Sequence, residues 1–183
     1  REFAVNPQQI EYIDKEEQAL MAMNDQIAFT REYQQLGTEA PAWQNPEHVI
    51  QSVKMHVDLG KVSLLSTIGS WEILADPMLE KVFYNLCDNA VKYGGAGITS
   101  IRISSHREEN DLVIVVHDDG VGISAEDKSH LFERGYGKHT GLGLFLSKEI
   151  LSITEIAIRE TGEPGQGARF EIRVPAGKFR GTT

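Results

Sequence analysis

A single cysteine, Cys87, stands in a chain of 183 residues, so no internal disulfide can form and a reducing compartment suits the protein. Its neighbours are apolar, and it reads as a plain buried thiol, not a reactive one. No Cys/His cluster has zinc-ligand spacing. No apolar run approaches the ~20 residues that span a bilayer, and no signal peptide opens the sequence. Positive charge is short as well. The formal net charge of -9 argues against a nucleic-acid surface, because phosphate backbones repel an acidic protein. Internal repeats and low-complexity segments are missing too. An opening Arg1 reads as the start of a piece of a longer chain.

What is present is enough for one domain with an appendage: 40% hydrophobic content supports a real core. Asn6-Pro7 reads as an N-cap and first-turn proline, and residues 8–36 contain no Gly or Pro. That stretch predicts a helix about 44 Å long at ~1.5 Å per residue. Ile13, Leu20 and Ile27 recur every seven residues, with Ile10, Met23, Tyr33 and Leu36 nearby. Such a stripe is expected to pack on another helix or a second subunit, the alternative being a fold back onto its own domain. Residues 37–46, with two prolines and a glycine, read as a linker.

Beyond the linker, residues 47–58 predict a helix, and 62–65 and 71–75 predict strands around a turn at Gly69-Ser70. Asp76-Pro77 is expected to cap a central helix over 78–93. Residues 98–104 and 112–118 predict a hairpin. Ser124-Ala-Glu-Asp127 has capping-box form and opens a short helix ending near Phe132. A further helix over 142–151 and strands over 156–160 and 168–174 complete an α+β fold, a two-layer α/β sandwich with helices on one face.

On the central helix, Asn85, Asn89 and Lys92 share one face at about 100° per residue, while Leu79, Val82, Phe83, Leu86 and Ala90 follow helical spacing opposite. Downstream come Asp118-Asp-Gly-Val-Gly122 and Gly141-Leu-Gly-Leu144, with glycines where backbone can approach a ligand closely. A helix start presents free N–H groups and positive dipole, suited to phosphate. An amide oxygen is an acceptable ligand for Mg²⁺, which keeps several waters and binds substrate phosphates. Lys92, Arg134 and Lys138 are the candidate cations for such an anionic ligand. Each motif alone is weak; their order points to a nucleotide site.

Tyr84-Asn-Leu-Cys-Asp-Asn-Ala-Val-Lys-Tyr93 resembles the N box of the sensor histidine-kinase catalytic domain, in the GHKL superfamily shared with gyrase, mismatch-repair and heat-shock chaperone ATPases. Asp118-Asp-Gly-Val-Gly122 resembles its G1 box, Leu131-Phe-Glu-Arg-Gly-Tyr136 its F box, and Thr140-Gly-Leu-Gly-Leu144 its G2 box. The resemblance implies the Bergerat ATP-binding fold over 47–183, with ATP and Mg²⁺ as cofactors. It implies that Asn89 ligates Mg²⁺, Asn85 supports the metal-bound phosphates, and Lys92 contacts phosphate. Tyr93 would stack on adenine, and Asp118 would accept its amino group. Gly120, Gly122 and Ile123 would let backbone reach the base. Residues 123–140 would form a lid in which Arg134, Gly137, Lys138 and Thr140 face the phosphates. Gly141 and Gly143 would hinge it and free the amides behind the triphosphate, with Leu142 and Leu144 also in the ATP site.

Hydrolytic relatives carry a glutamate at the place of Asn85, and an amide cannot act as a general base, which favours a kinase over a hydrolase. Residues 1–36 resemble the second helix of a dimerisation domain of archaeal-type kinases, whose phosphorylated histidine lies on a helix absent from this chain. His48, His56, His106, His117 and His130 read as solvated or structural; His139 falls inside the lid. The implied partners are that histidine-bearing helix, of the same or a partner subunit, a response regulator, and a second subunit in a homodimer. A cytoplasmic setting is expected, including that of the cytoplasmic part of a larger sensor. The alternative function is a non-catalytic nucleotide-binding or interaction module; a hydrolase with some other base ranks third. Two departures stand out: a short lid, and Arg169 where the family often has a small or hydroxyl residue supporting the base pocket.

Overall fold

The computed structural model describes residues 7–136 and 141–181. The cap expected at Asn6 therefore lies outside the described residues. Helix α1 (Pro7–Gln35) starts at proline and ends where Gly37 turns with φ of 66°. Strand β1 (Ala42–Gln44) follows, inside the stretch read as a linker. Helix α2 (Pro46–His56) is capped by the Asn45 side chain, which accepts from the N–H groups of Glu47 and His48. Strands β2 (Ser63–Thr67) and β3 (Trp71–Ala75) flank the expected turn, yet they do not pair with each other.

They part into two sheets. Strand β3 lies between β1 and β8 (Phe179–Gly181) in a three-stranded antiparallel sheet, and β8 had no counterpart in the sequence reading. Strand β2 runs parallel to β4 (Ser100–Glu108) at the edge of a five-stranded sheet of order β2-β4-β5-β7-β6. The other members are β5 (Asp111–Asp118), β6 (Ala157–Glu160) and β7 (Arg169–Val174), all antiparallel to their neighbours. The β4–β5 hairpin forms as the sequence predicts, with Glu108 opposite Asp111.

Helix α3 (Leu79–Tyr93) opens later than expected, with Met78 at its cap position. Asp76 still prepares the entry: its buried carboxylate accepts the Met78 N–H at 2.8 Å and the Gly37 N–H at 3.3 Å. Helix α4 (Ala125–Lys128) is a single turn that stops well short of Phe132, with Ser124 accepting the Asp127 N–H. Helix α5 (Gly143–Ser152) completes the set. One sheet face contributes Ile101, Ile103, Ile114, Val116, Phe170 and Ile172 to a single core with Val82, Phe83 and Leu86 of α3 and Leu146 and Ile150 of α5. Burying each such side chain is worth roughly 1.5–3 kcal/mol. On the other face Val113 and Val115 lie beneath longer polar chains such as Arg173, paired with Glu108 and Asp111.

Helix α1 folds back onto its own domain over only part of its length. Its C-terminal third docks on its own domain: Phe29 is buried and stacks on Tyr33 at 5.5 Å, both rings meet Phe145 of α5 at 6.2 Å, and Glu32 pairs with Lys81 of α3 at 2.6 Å. The heptad positions Ile13, Leu20 and Ile27 stay 51%, 60% and 68% exposed.

Candidate functional site

The fold brings the loop after Asp118 and the start of α5 against the C-terminal half of α3. Asn85 is buried and turned toward α5: its Nδ2 donates to the Gly143 carbonyl at 2.9 Å and to Ser147 Oγ at 3.1 Å. A side chain at Gly143 would start 3.5 Å from the Asn85 amide, so this glycine lets the two helices close up. Asn89, one turn on, is half-buried, and its carboxamide has no hydrogen-bond partner among the described residues. Lys92 is exposed and bound to Asp88 at 2.7 Å, a contact that raises its pKa. Tyr93 is half-buried, and burial raises its phenol pKa. Cys87 faces the core, where burial pushes its thiol up to about 12, so it stays protonated and inert.

Strand β5 ends at Asp118, buried among backbone donors. Its Oδ1 accepts the N–H of Gly120 at 2.9 Å and of Ala168 at 3.1 Å. Burial raises its pKa, and those two N–H groups work against the rise. The loop that follows is threaded tightly. The Val121 N–H reaches the Gly94 carbonyl at 3.0 Å, and the Gly165 N–H reaches the Val121 carbonyl at 2.7 Å. A Cβ at Gly120 would lie 2.6 Å from Gly94, and one at Gly122, with φ of 69°, would lie 2.7 Å from the Glu163 carbonyl. Both glycines thus make room for the protein's own backbone.

Ile123 and Leu144 pack half-buried against the core, and Leu142 is buried at the start of α5. Gly141, with φ of 59°, sits so close to Tyr136 that a Cβ would lie 2.2 Å from its carbonyl oxygen. The Arg134 guanidinium lies 5.5 Å over the Phe29 ring on α1. Gly137, Lys138, His139 and Thr140 lie outside the described residues. Arg169 turns its guanidinium to Thr161 and Glu171. His56, His117 and His130 each have a polar neighbour, Glu80, the Gln166 carbonyl and Glu133 respectively.

Sequence reasoning missed several residues on which this geometry depends. Asp119 holds the N–H and hydroxyl groups of Thr99 and Ser100, and the bonds from Thr99 and Ser100 hold its carboxyl well below the usual carboxylate range. Gly167, with φ of 90°, lies where any Cβ would collide with the Asp118 carbonyl. Ala168 and Ser147 bind Asp118 and Asn85. Only the paired glycines of 165–167 gave a signal in the sequence, as a turn.

A helix amide face, a buried acceptor at a strand end and a glycine-led helix start thus meet in one place. The family described as histidine kinase-, DNA gyrase B- and HSP90-like ATPase matches residues 75–178, more than half of the chain. The chain belongs to this family. Among curated relatives of this ATPase domain, the sensor histidine kinase RcsC of Escherichia coli (strain K12) is 36% identical over 111 residues, 55% of this chain and 11% of that protein. The alginate biosynthesis sensor protein KinB of Pseudomonas aeruginosa is 35% identical over 103 residues, 53% of this chain and 17% of its own. The chain spans only a minor part of these relatives. Among solved structures, full-length ShkA in complex with AMPPNP aligns with TM-score 0.70 at 23% identity, over 97% of this chain and 40% of that one. The mycobacterial sensor histidine kinase MprB aligns at TM-score 0.68 and 20% identity, over 78% of this chain and 100% of that one. Those alignments establish the shared fold of the GHKL ATP-binding domain.

The donor set suits magnesium shared with a nucleotide. Among the described residues no group of three His, Cys, Asp or Glu could hold a metal by itself, so an ion here would take the free Asn89 amide oxygen and complete its shell with phosphate and water. No helix among the described residues is long and apolar enough to cross a membrane.

Proposed function

We propose that this chain is the ATP-binding kinase part of a two-component sensor. It would pass the γ-phosphoryl group to a histidine on a dimerisation helix that these residues do not include, for relay to a response regulator. The observation that carries this reading is Asn85. Its amide nitrogen is committed to Gly143 and Ser147, and a carboxamide offers no base to activate water. A bound triphosphate is thereby spared until a better nucleophile arrives. The names of the sensor relatives lend support.

Each residue has its task. Asn89, half-buried and unpartnered, would hold Mg²⁺, which when bound neutralises phosphate charge. Asn85 keeps the first turn of α5 against α3, so that the N–H groups at this helix start face the phosphates. Lys92 would leave Asp88 for phosphate. Asp118, its Oδ1 already filled, would accept the adenine amino group on Oδ2, and Tyr93 would stack on the base. Residues 1–36 belong in this reading to a dimerisation domain, 37–46 to a joint and 47–183 to the catalytic domain, in a cytoplasmic homodimer. A non-catalytic binding module of the same fold is the second reading, favoured by the engagement of the Arg134 guanidinium with Phe29 of α1.

The test mixes the purified chain with γ-labelled ATP and a separate domain carrying a histidine helix. Label arriving on that histidine supports the kinase. Tight binding without transfer supports the module, and steady phosphate release without acceptor overturns both.

A further inference from the structure

Glu160, at the end of β6, has 1% of its side chain exposed. Its Oε1 accepts the N–H of Gly162 at 3.0 Å and of Arg169 at 3.1 Å, closing the base of the turn over 161–168. Its Oε2 is buried and takes no directional hydrogen bond. What faces Oε2, at 2.7 Å, is the ammonium of Lys128, the last residue of α4, which also donates to the Gly162 carbonyl. The contact is therefore ionic, and it crosses from the segment after the Asp118–Gly122 loop to the turn that the loop threads. That same turn holds Asp118 through Ala168 and Val121 through Gly165. A charge sealed this deeply keeps its place only while its counter-charge is present.

We infer that Lys128 and Glu160 are a positioning pair that pins the root of the lid to the β6–β7 turn, and so sets how well residues 123–136 can close on the phosphate end of the nucleotide. The pair does not touch the nucleotide. It acts by fixing where the segment beyond α4 begins, a few residues before Phe132, which packs edge-on against Phe170 of β7. Beside the ionic contact, α4 has the Ser124 cap and the bond from the Tyr136 hydroxyl to Asp127, and none of its four residues is buried, so this single helical turn leans on the Lys128–Glu160 pair for its order. The assignment of phosphate contact to the lid rests on the function proposed above.

The test compares Lys128→Met, Glu160→Gln and the double variant in the full chain by two readouts. Amide hydrogen exchange over 124–132 is expected to quicken about ten-fold in Lys128→Met, with β5 and β7 unaffected. Affinity for Mg·ATP is expected to fall several-fold more than affinity for ADP, since only the triphosphate extends to the lid. In Lys128→Met the Glu160 carboxylate stays buried without a counter-charge, so the double variant should recover part of the loss. Exchange over 124–132 equal to wild type, equal losses for ATP and ADP, or strictly additive effects would each overturn the inference. Failure of the wild-type chain to bind any nucleotide would sink the proposed function instead, while the exchange readout would still judge the pin.

Discussion

Replacing Asn85 separates its structural and electrostatic roles cleanly. Asn85→Ala removes two donated hydrogen bonds, to Gly143 and Ser147. Neither acceptor is orphaned, because Ser147 Oγ itself donates to the Gly143 carbonyl at 2.8 Å. The loss is then about 1 kcal/mol per bond, about 2 kcal/mol in all, or roughly 4–8 °C in Tm for a domain of this size. Asn85→Asp is nearly isosteric, yet it turns a donor into an acceptor 2.9 Å from a carbonyl oxygen. It adds a buried carboxylate beside a carbonyl, and the Ser147 hydroxyl can donate to it only by leaving Gly143, for a total cost of about 3–5 kcal/mol at neutral pH. Burial raises the folded-state pKa of the introduced carboxyl above its unfolded value, so the penalty is absent below the ordinary carboxylate range. There the protonated form can donate to Gly143. The penalty grows as pH rises from about 4 upward. Urea denaturation followed by tryptophan fluorescence at about pH 7 and about pH 4.5 reads the difference between the two variants directly. An Asn85→Asp protein as stable as Asn85→Ala at neutral pH would refute the reasoning, since it would mean that the amide nitrogen does not face α5.

Three further outcomes are expected. Asp118→Asn retains an oxygen for the Gly120 and Ala168 N–H groups, so melting should shift little, while ATP affinity should fall at least about ten-fold, near 1.4 kcal/mol. On the proposed reading, binding in the wild type requires ionised Asp118, whose pKa burial raises. Affinity measured by calorimetry should therefore begin to fall above the usual carboxylate range as pH drops, and a flat profile down to about pH 4 would count against the assignment. Phe29→Ala should release α1, at a cost of about 3 kcal/mol in docking, and expose residues 25–36 to limited proteolysis. An unchanged cleavage pattern would show that the Phe29–Tyr33–Phe145 contact does not hold the helix.

Much of this architecture was legible because it rests on local chemistry. Asn45 and Ser124 cap the helices that follow them, and the β-branched runs of β4 and β5 meet across a polar turn. Helical spacing on α3 marked Val82, Phe83 and Leu86 for the core, where they lie. The rest depends on partners distant in the chain. Strand period says which residues face inward and nothing of which strand lies alongside, so β2 and β3 read as neighbours although they join different sheets. Strands β1 and β8 are three residues each, too short to show alternation. The asparagine pair announced a polar face, but only the approach of α5 decides that Asn85 turns its nitrogen inward while Asn89 stays free. Arg134 read as a phosphate contact by its position, and its place over Phe29 of α1 had no signal in the sequence. Lys128 and Glu160 lie on separate elements and neither belongs to a motif.

Strand β1 changes what the joint after α1 can transmit. Ala42, Trp43 and Gln44 are laced to Ala75, Leu74 and Ile73, and the Gln44 amide grips the carbonyls of Ala75 and Asp76 just ahead of α3. A twist applied to α1 is therefore not lost in slack chain. It arrives as shear on the three paired residues of β1 and β3, directly ahead of the asparagine-bearing helix.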